Sequence, residues 1–286
     1  MPVRCYENAV QVSAPAKINL SLEVRGRRPD GFHEIETLMA PVSLADVLDI
    51  DISEGGGITF SCSDPSLPAG DDNLVVRAAK IFFETAKIRQ GARIHLEKRI
   101  PHGAGLGGGS SDAAATLMAL NKLSGANLEI PALSAIAAQL GSDIPFFIYR
   151  SAAVCRGRGE LVEPVNFPHK LPLLLIKPPF GVPTPWAYKC WAGSVEIPDV
   201  PYAPQYFPWG KLVNDLERPV FEKYLFLALL KRWLLAQPEV AGALMSGSGS
   251  TTLAVLRDES MAGSLTERVR AEFGAELWVC GCSTVA

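Results

Sequence analysis

Five glycines fall within the seven residues Gly103-Ala104-Gly105-Leu106-Gly107-Gly108-Gly109, preceded by Pro101-His102 and followed by Ser110-Ser111-Asp112. A backbone this rich in glycine loses too much conformational entropy to settle into a helix or strand interior. The residues that follow suit a helix. Ala113, Leu117 and Leu120 recur at helical spacing, and Ser110 or Ser111 is the expected N-cap. A glycine loop feeding a helix N-terminus is an anion site: N–H groups converge, the dipole is positive, and no Cβ obstructs a phosphate. A flexible linker is the competing explanation, but linkers seldom run into a capped, alanine-rich helix.

Two further groups could act on a bound phosphate. From Lys17 onward the chain alternates, with Ile18, Leu20, Leu22 and Val24 on one side and Lys17, Asn19, Ser21 and Glu23 on the other. Lys17 and Asn19 therefore lie about 7 Å apart on one strand face. That face is either solvated or part of a site. Asp143 stands between Ser142 and Ile144-Pro145, where its type and place read as a helix cap. Phe32 and His33 directly follow the turn Pro29-Asp30-Gly31, and an aromatic beside an imidazole can stack on a base and bond its edge.

The kind of phosphate loop is narrowed by exclusion. Gly103, Gly105 and Gly108 match G-x-G-x-x-G, but the preceding residues 92–98 alternate as a half-exposed strand, not a buried parallel one. Glu129 has the distance of a ribose-binding acid yet falls beside Pro131 at a helix start. No lysine follows the glycines in the Walker manner, and no V-A-I-K or H-R-D is present.

The stretch P-x-G-x-G-L-G-G-G-S-S-D-A-A resembles the phosphate loop of the GHMP kinases, the family of galactokinase, homoserine kinase and mevalonate kinase. Ala14-Pro15-x-Lys17-x-Asn19-Leu20 resembles the family's first motif, and Gly141-Ser142-Asp143-Ile144-Pro145 the one carrying its catalytic carboxylate. Gly242 to Leu256, with Gly247-Ser248-Gly249 at its turn, resembles the second glycine loop. Arg28-x-Asp30-Gly31-Phe32-His33, Asp72-Asn73-Leu74, Thr184-x-x-x-Tyr188 and Asn214-Asp215-Leu216-Glu217 resemble one branch, whose members phosphorylate the 2-hydroxyl of a cytidine diphosphate-linked methylerythritol for isoprenoid synthesis.

The resemblance implies an α+β, two-domain GHMP kinase fold. Residues 1–166 would form an N-terminal α/β sandwich of the ribosomal-protein second-domain type, and residues 167–286 a ferredoxin-like domain, with the ligands in the cleft between. It implies ATP as co-substrate, Mg2+ on its phosphates, Lys17 and Asp143 as the catalytic pair, and residues 101–111 as the phosphate cradle. Asn73 and Lys98 would line the adenine pocket. Phe32 and Tyr188 would sandwich the cytosine, Asn19 would bond His33 or the substrate, and Thr184, Gly247, Ser248 and Gly249 would face the substrate. Ser110 and Asp112 are the candidates for touching the metal, and the sequence does not choose between them. A homoserine- or mevalonate-type kinase and a non-catalytic nucleotide-binding protein remain as alternatives.

Composition agrees with an enzyme of small molecules. The chain has 286 residues, 48% of them hydrophobic and 20% charged, enough to bury a substantial core. A net charge of −3, without a basic stripe, argues against nucleic acid. No apolar run reaches membrane length, and residues 1–15 carry Glu7 and no signal-peptide core, so a cytoplasmic monomer or weak homodimer is expected. The six cysteines (Cys5, Cys62, Cys155, Cys190, Cys280, Cys282) read as reduced thiols, mostly buried.

The supporting elements follow from the pattern. Residues 45–60 read as a hairpin around Gly55-Gly56-Gly57, and 74–87 as a helix capped by Asn73. Residues 131–140 read as a helix closed by Gly141, 152–162 as a hairpin, and 173–176 as a buried strand. Residues 192–210 read as irregular, 224–236 as an apolar helix, and the composition shift at 164–172 as the domain boundary.

Overall fold

A computed structural model describes residues 5, 6 and 9–285; Glu7 and the Cys5 thiol lie outside what it describes. The first half runs β1 (Cys5–Tyr6), β2 (Ala9–Arg27), β3 (His33–Ser53), β4 (Gly57–Cys62), α1 (Leu74–Ala86), β5 (Gly91–Glu97), α2 (Gly108–Leu123), α3 (Ile130–Leu140), α4 (Ile144–Tyr149), β6 (Ala153–Gly157) and β7 (Leu161–Pro164). The second runs β8 (Pro172–Lys177), α5 (Thr184–Trp191), β9 (Gln205–Phe207), β10 (Gly210–Asn214), α6 (Glu217–Lys223), α7 (Leu225–Leu235), β11 (Val240–Met245), β12 (Thr252–Leu256), α8 (Ala262–Phe273) and β13 (Trp278–Ser283).

Among the described residues, nine strands form one sheet in the order β4-β5-β3-β2-β10-β9, with β1 on β2, β6 on β3 and β7 on β6. A second sheet has the order β11-β12-β8-β13, all antiparallel. With α7 and α8 as its crossovers, that is the ferredoxin-like arrangement. The layers stack helix, sheet, sheet, helix. Leu173 and Leu175 of β8 pack with Ile18 and Leu20 of β2, while Leu174 and Ile176 pack with Leu230, Leu234, Leu265 and Val269 of α7 and α8. A strand covered on both faces needs an unbroken apolar run, and 173–176 is one. Helix α2 lies against the other face of the large sheet, with Leu117 and Leu120 in a core shared by α1, α3 and α4.

Several expectations change. Residues 45–60 do not form a hairpin, because β5 lies between β3 and β4, antiparallel to one and parallel to the other. The glycines 55–57 turn the chain away from β3, and α1 returns it. Residues 192–210 are not wholly irregular: β9 is a strand, and β10 joins β2 in parallel, Val213 opposite Ser21. The second half thus contributes strands to the first sheet. Helix α2 begins three or four residues earlier than expected, with Gly107 rather than Ser110 or Ser111 at its N-cap. Gly141 ends α3 in extended conformation, φ 175°, not as a left-handed cap. Of the described cysteines, Cys155 alone is buried; the other four are partly exposed.

Gly91 sits at the crowded start of β5, where an added Cβ would run into the carbonyl oxygens of Gly55 and Gly57. Gly91→Ala should lower stability by about 1–3 kcal/mol through overpacking, seen as a lower midpoint in thermal unfolding. An unchanged midpoint would mean that β4 is not held against β5 as described.

Candidate active site

The phosphate loop is built by alternation. Gly103, Gly105 and Gly107 take positive φ of 63°, 75° and 69°, while Ala104 and Leu106 between them are buried anchors. Gly105 has a second requirement, since a Cβ there would meet the carbonyl oxygens of Ser246 and Gly249 at 2.5 and 2.8 Å. The loop is pinned on both sides: Lys17 N–H donates to Leu106 O at 2.9 Å, and Thr251 N–H to Ala104 O at 3.2 Å. The N-terminus of the 16-residue helix α2 then points its free N–H groups into the cleft.

Lys17 and Asn19 lie on β2 between register shifts in its pairing with β3, an irregularity that redirects side chains. Both are buried, so the solvent-face alternative fails. Lys17 Nζ donates to Asn19 Oδ1 at 2.6 Å, and Asn19 Nδ2 to Thr37 Oγ1 at 2.7 Å. Asn19 is therefore held by Lys17 and Thr37, not by His33. Asp143 precedes α4 but makes no side-chain cap bond. Its carboxylate instead faces Lys17 Nζ at 3.6 Å, with the lysine side chain 5% exposed and the aspartate 41%.

These groups open on one cleft of about 1050 Å3, lined from both halves of the chain. Residues 101–110, Lys17, Asn19, Phe32, His33, Asn73, Lys98, Asp143, Thr184, Tyr188, Gly247 and Ser248 all line it. Ser111 and Gly249 do not. Ser111 is one turn into α2 and buried, and Gly249 backs onto Gly105 from behind.

The base-binding end differs in detail from the expected sandwich. Tyr188 stacks on His33 (centroids 5.4 Å, 27° between planes), and Trp191 meets His33 edge-on at 6.0 Å. Phe32 is exposed and carries the Arg158 guanidinium over its ring at 4.8 Å. Each ring of the expected pair thus has another partner. Partial burial and the nearby Arg27 lower the His33 pKa, favouring a neutral imidazole that can both donate and accept. Burial and the Asp143 charge push the Tyr188 phenol upward, so it stays protonated. Thr184 and Ser248 hydroxyls bond each other at 2.7 Å across the cleft wall.

At the adenine end the structural partners are already in place. Asn73 Oδ1 accepts from Val75 N–H as the cap of α1, and its Nδ2 donates to Pro68 O. Lys98 Nζ pairs with Asp46 and, at 2.8 Å, with Asp112. No local signal announces this cage, whose members come from β3, the end of β5 and the second turn of α2. Arg158 and Thr37 also line the cleft, and no spacing rule in the sequence points to either, although Arg158 lies in the Gly157-Arg158-Gly159 turn. No group of three or more His, Cys, Asp or Glu able to hold a metal occurs among the described residues.

Comparison with known proteins follows the same lines. Residues 73–151 match the family described as "GHMP kinases N terminal domain". Structures of homoserine kinase from Cytophaga hutchinsonii (TM-score 0.70, 18% identity, covering 100% of this chain and 97% of that one) and of Methanococcus jannaschii mevalonate kinase (0.62, 14%, 96% and 98%) share the fold. The architecture is that of a two-domain GHMP kinase. At the sequence level, 4-diphosphocytidyl-2-C-methyl-D-erythritol kinase of Methylacidiphilum infernorum is 43% identical over 95% of this chain and 96% of its own. A solved 4-(cytidine 5'-diphospho)-2C-methyl-D-erythritol kinase is 38% identical with a TM-score of 0.79, over 96% of this chain and 100% of that one. The chain belongs to the 4-diphosphocytidyl-2-C-methyl-D-erythritol kinase family.

Burial pushes the Asp112 carboxyl up to about 8, with the Lys98 ammonium pulling it down and Asp46 raising it again. In the unfolded chain the same group titrates near about 4. Between those values the folded state keeps a proton that the unfolded state releases, so stability falls as pH rises from about 4 to about 8. Asp112→Asn cannot titrate. Its melting temperature relative to the parent should rise between pH 5 and pH 8 in thermal scans, and a pH-independent difference would overturn the assignment.

Proposed function

We infer that this chain transfers the γ-phosphoryl group of ATP to the 2-hydroxyl of 4-diphosphocytidyl-2-C-methyl-D-erythritol, in non-mevalonate isoprenoid precursor synthesis. The observation that carries the reading is the meeting of Lys17 and Asp143 at 3.6 Å beside the N-terminus of α2, in a cleft that also holds stacked aromatic groups. Phosphoryl transfer asks a protein for alignment and charge neutralisation. The N–H groups of residues 103–110 receive the β- and γ-phosphates. Lys17 meets the charge on the transferring group, and Asp143 accepts the proton of the attacking hydroxyl. That hydroxyl is tertiary, so its orientation matters more than the strength of the base.

Substrate selection belongs to the aromatic end. Neutral His33, stacked on Tyr188, offers a donor and an acceptor to a cytosine edge, and Phe32 supplies a face when Arg158 moves aside. Thr184, Gly247 and Ser248 line the path between base and hydroxyl. Asn73 and Lys98 bound the adenine end, more as walls of fixed geometry than as free ligands. Mg2+, if bound with the nucleotide, would supply neutralisation of phosphate charge. Ser110, half-buried at the loop, fits as its contact. Asp112 also lines the cleft, but Lys98 holds its Oδ2 and leaves only the buried Oδ1 for such a contact. The cleft is lined from one chain, which supports a monomer or weak homodimer, and dependence on ATP supports a cytoplasmic location. No helix among the described residues is long and apolar enough to cross a membrane.

A coupled ADP-release assay with the cytidyl substrate tests this directly. Asp143→Ala should lower kcat by about 10²-fold or more while nucleotide affinity is kept; near-normal turnover would remove Asp143 from the chemistry. Tyr188→Ala and Phe32→Ala should raise KM for the cytidyl substrate by about tenfold, the loss of one stacking contact. CDP should compete with that substrate where other pyrimidine nucleoside diphosphates do not. Unchanged KM, or inhibition indifferent to the base, would exclude base recognition at this end.

A further inference from the structure

The motif Asn214-Asp215-Leu216-Glu217 supplies none of the groups used above, yet its polar side chains are spent on the backbone of the elements that build the site. Asn214 ends β10 and is 4% exposed. Its Nδ2 donates to Met245 O and to Gly247 O, both at 2.7 Å, and its Oδ1 accepts from Leu216 N–H at 2.9 Å. Asp215 Oδ2 accepts from Val24 N–H on β2 at 2.8 Å. Glu217, fully buried against Lys231, accepts from Met245 N–H at 2.9 Å. One turn therefore grips β2 on one side and the end of β11 on the other.

Gly247 is where this grip reaches the chemistry. It has φ +57°, and a Cβ built on it would lie 3.4 Å from Lys17 Nζ, 3.3 Å from Asn19 Oδ1 and 3.4 Å from Gly105 O. It is thus the wall against which the lysine ammonium and the phosphate loop both rest. Two carbonyl oxygens aimed at one point repel each other unless a donor stands between them, and Asn214 Nδ2 is that donor.

We propose that Asn214 is a positioning residue for phosphoryl transfer: by holding the Met245 and Gly247 carbonyls on one nitrogen, it sets the second glycine loop at the distance that aims Lys17 at Asp143. The proposal rests on the reading of Lys17 and Asp143 as the catalytic pair. Asn214 touches neither reactant and acts through Gly247.

Asn214→Asp is the sharpest test, because it keeps the shape and the acceptor for Leu216 while replacing both donated bonds with an oxygen. It should lower kcat about 30-fold and leave KM for ATP within about threefold, as expected for a misplaced group rather than a lost binding contact. In a Lys17→Ala background the same change should alter the single-turnover rate by less than about threefold, since the group it positions is gone. Asp215→Ala loosens the same turn on its β2 side. It should lower the melting temperature but keep kcat within about twofold. Should Asn214→Asp fail to fold, Asn214→Ser, which retains one donor, enters the same cycle with a smaller loss. An unchanged kcat, an equal loss in both backgrounds, or the same loss from Asp215→Ala would overturn the proposal. Full turnover by Lys17→Ala alone would instead sink the catalytic-pair reading, a separate outcome.

Discussion

A lysine ammonium that is 5% exposed cannot wait for its substrate unpartnered, and this constraint shapes the centre of the molecule. Lys17 Nζ is satisfied in advance by Asn19 Oδ1 and faces the Asp143 carboxylate. Asn19 is satisfied in turn by Thr37, whose hydroxyl donates to Ser21 O. The chain of bonds runs from β3 through β2 to the start of α4 without using a ligand. The charge is therefore aimed before the phosphates arrive, which is the condition under which electrostatic stabilisation costs no reorganisation. Asp143 is the open end of that chain, exposed enough to meet a hydroxyl.

The glycines serve the same end by allowing close approach. Gly105 admits the carbonyls of the second glycine loop, Gly107 admits Lys17 Cγ and the Phe147 ring, and Gly247 admits the ammonium. Each is a place where a methyl group would push a catalytic element outward. The two loops, from opposite halves of the chain, are one interlocked unit tied by the Thr251 to Ala104 bond. Behind that unit lie buried ionic groups, Asp46-Lys98-Asp112 under α2 and Glu217-Lys231 under β11. Such groups fix geometry at some expense in stability.

Local chemistry was the legible part of the sequence. The phosphate loop, the alternation that pairs Lys17 with Asn19, the Asn73 cap and the buried strand at 173–176 all declare themselves within a few residues. That Lys17 meets Asp143 came from resemblance, since no spacing rule joins positions so far apart. What stayed hidden was long-range pairing. The glycines at 55–57 look like a hairpin turn because nothing nearby reveals that β5 inserts between the strands they join. Ser110 and Ser111 are good caps by type, but Gly107 takes the role because the crowded approach of Lys17 and Phe147 leaves no room for a side chain there. Phe32 and Tyr188 both line one end of the cleft, yet their partners, Arg158 and His33, are set by the β6–β7 turn and by the start of β3. Lys98 reads as a free cation until two aspartates from distant elements enclose it.

Strand β10 returns to the first sheet after only β8 of the second has been laid down. Val24 and Asp215 meet across 191 positions. On the ribosome, β2 therefore emerges with one flank unpaired and stays so until about three quarters of the chain has been made. Pairings this remote close slowly. The newborn polypeptide carries an open strand through most of its synthesis, within reach of chaperones before its last neighbour arrives.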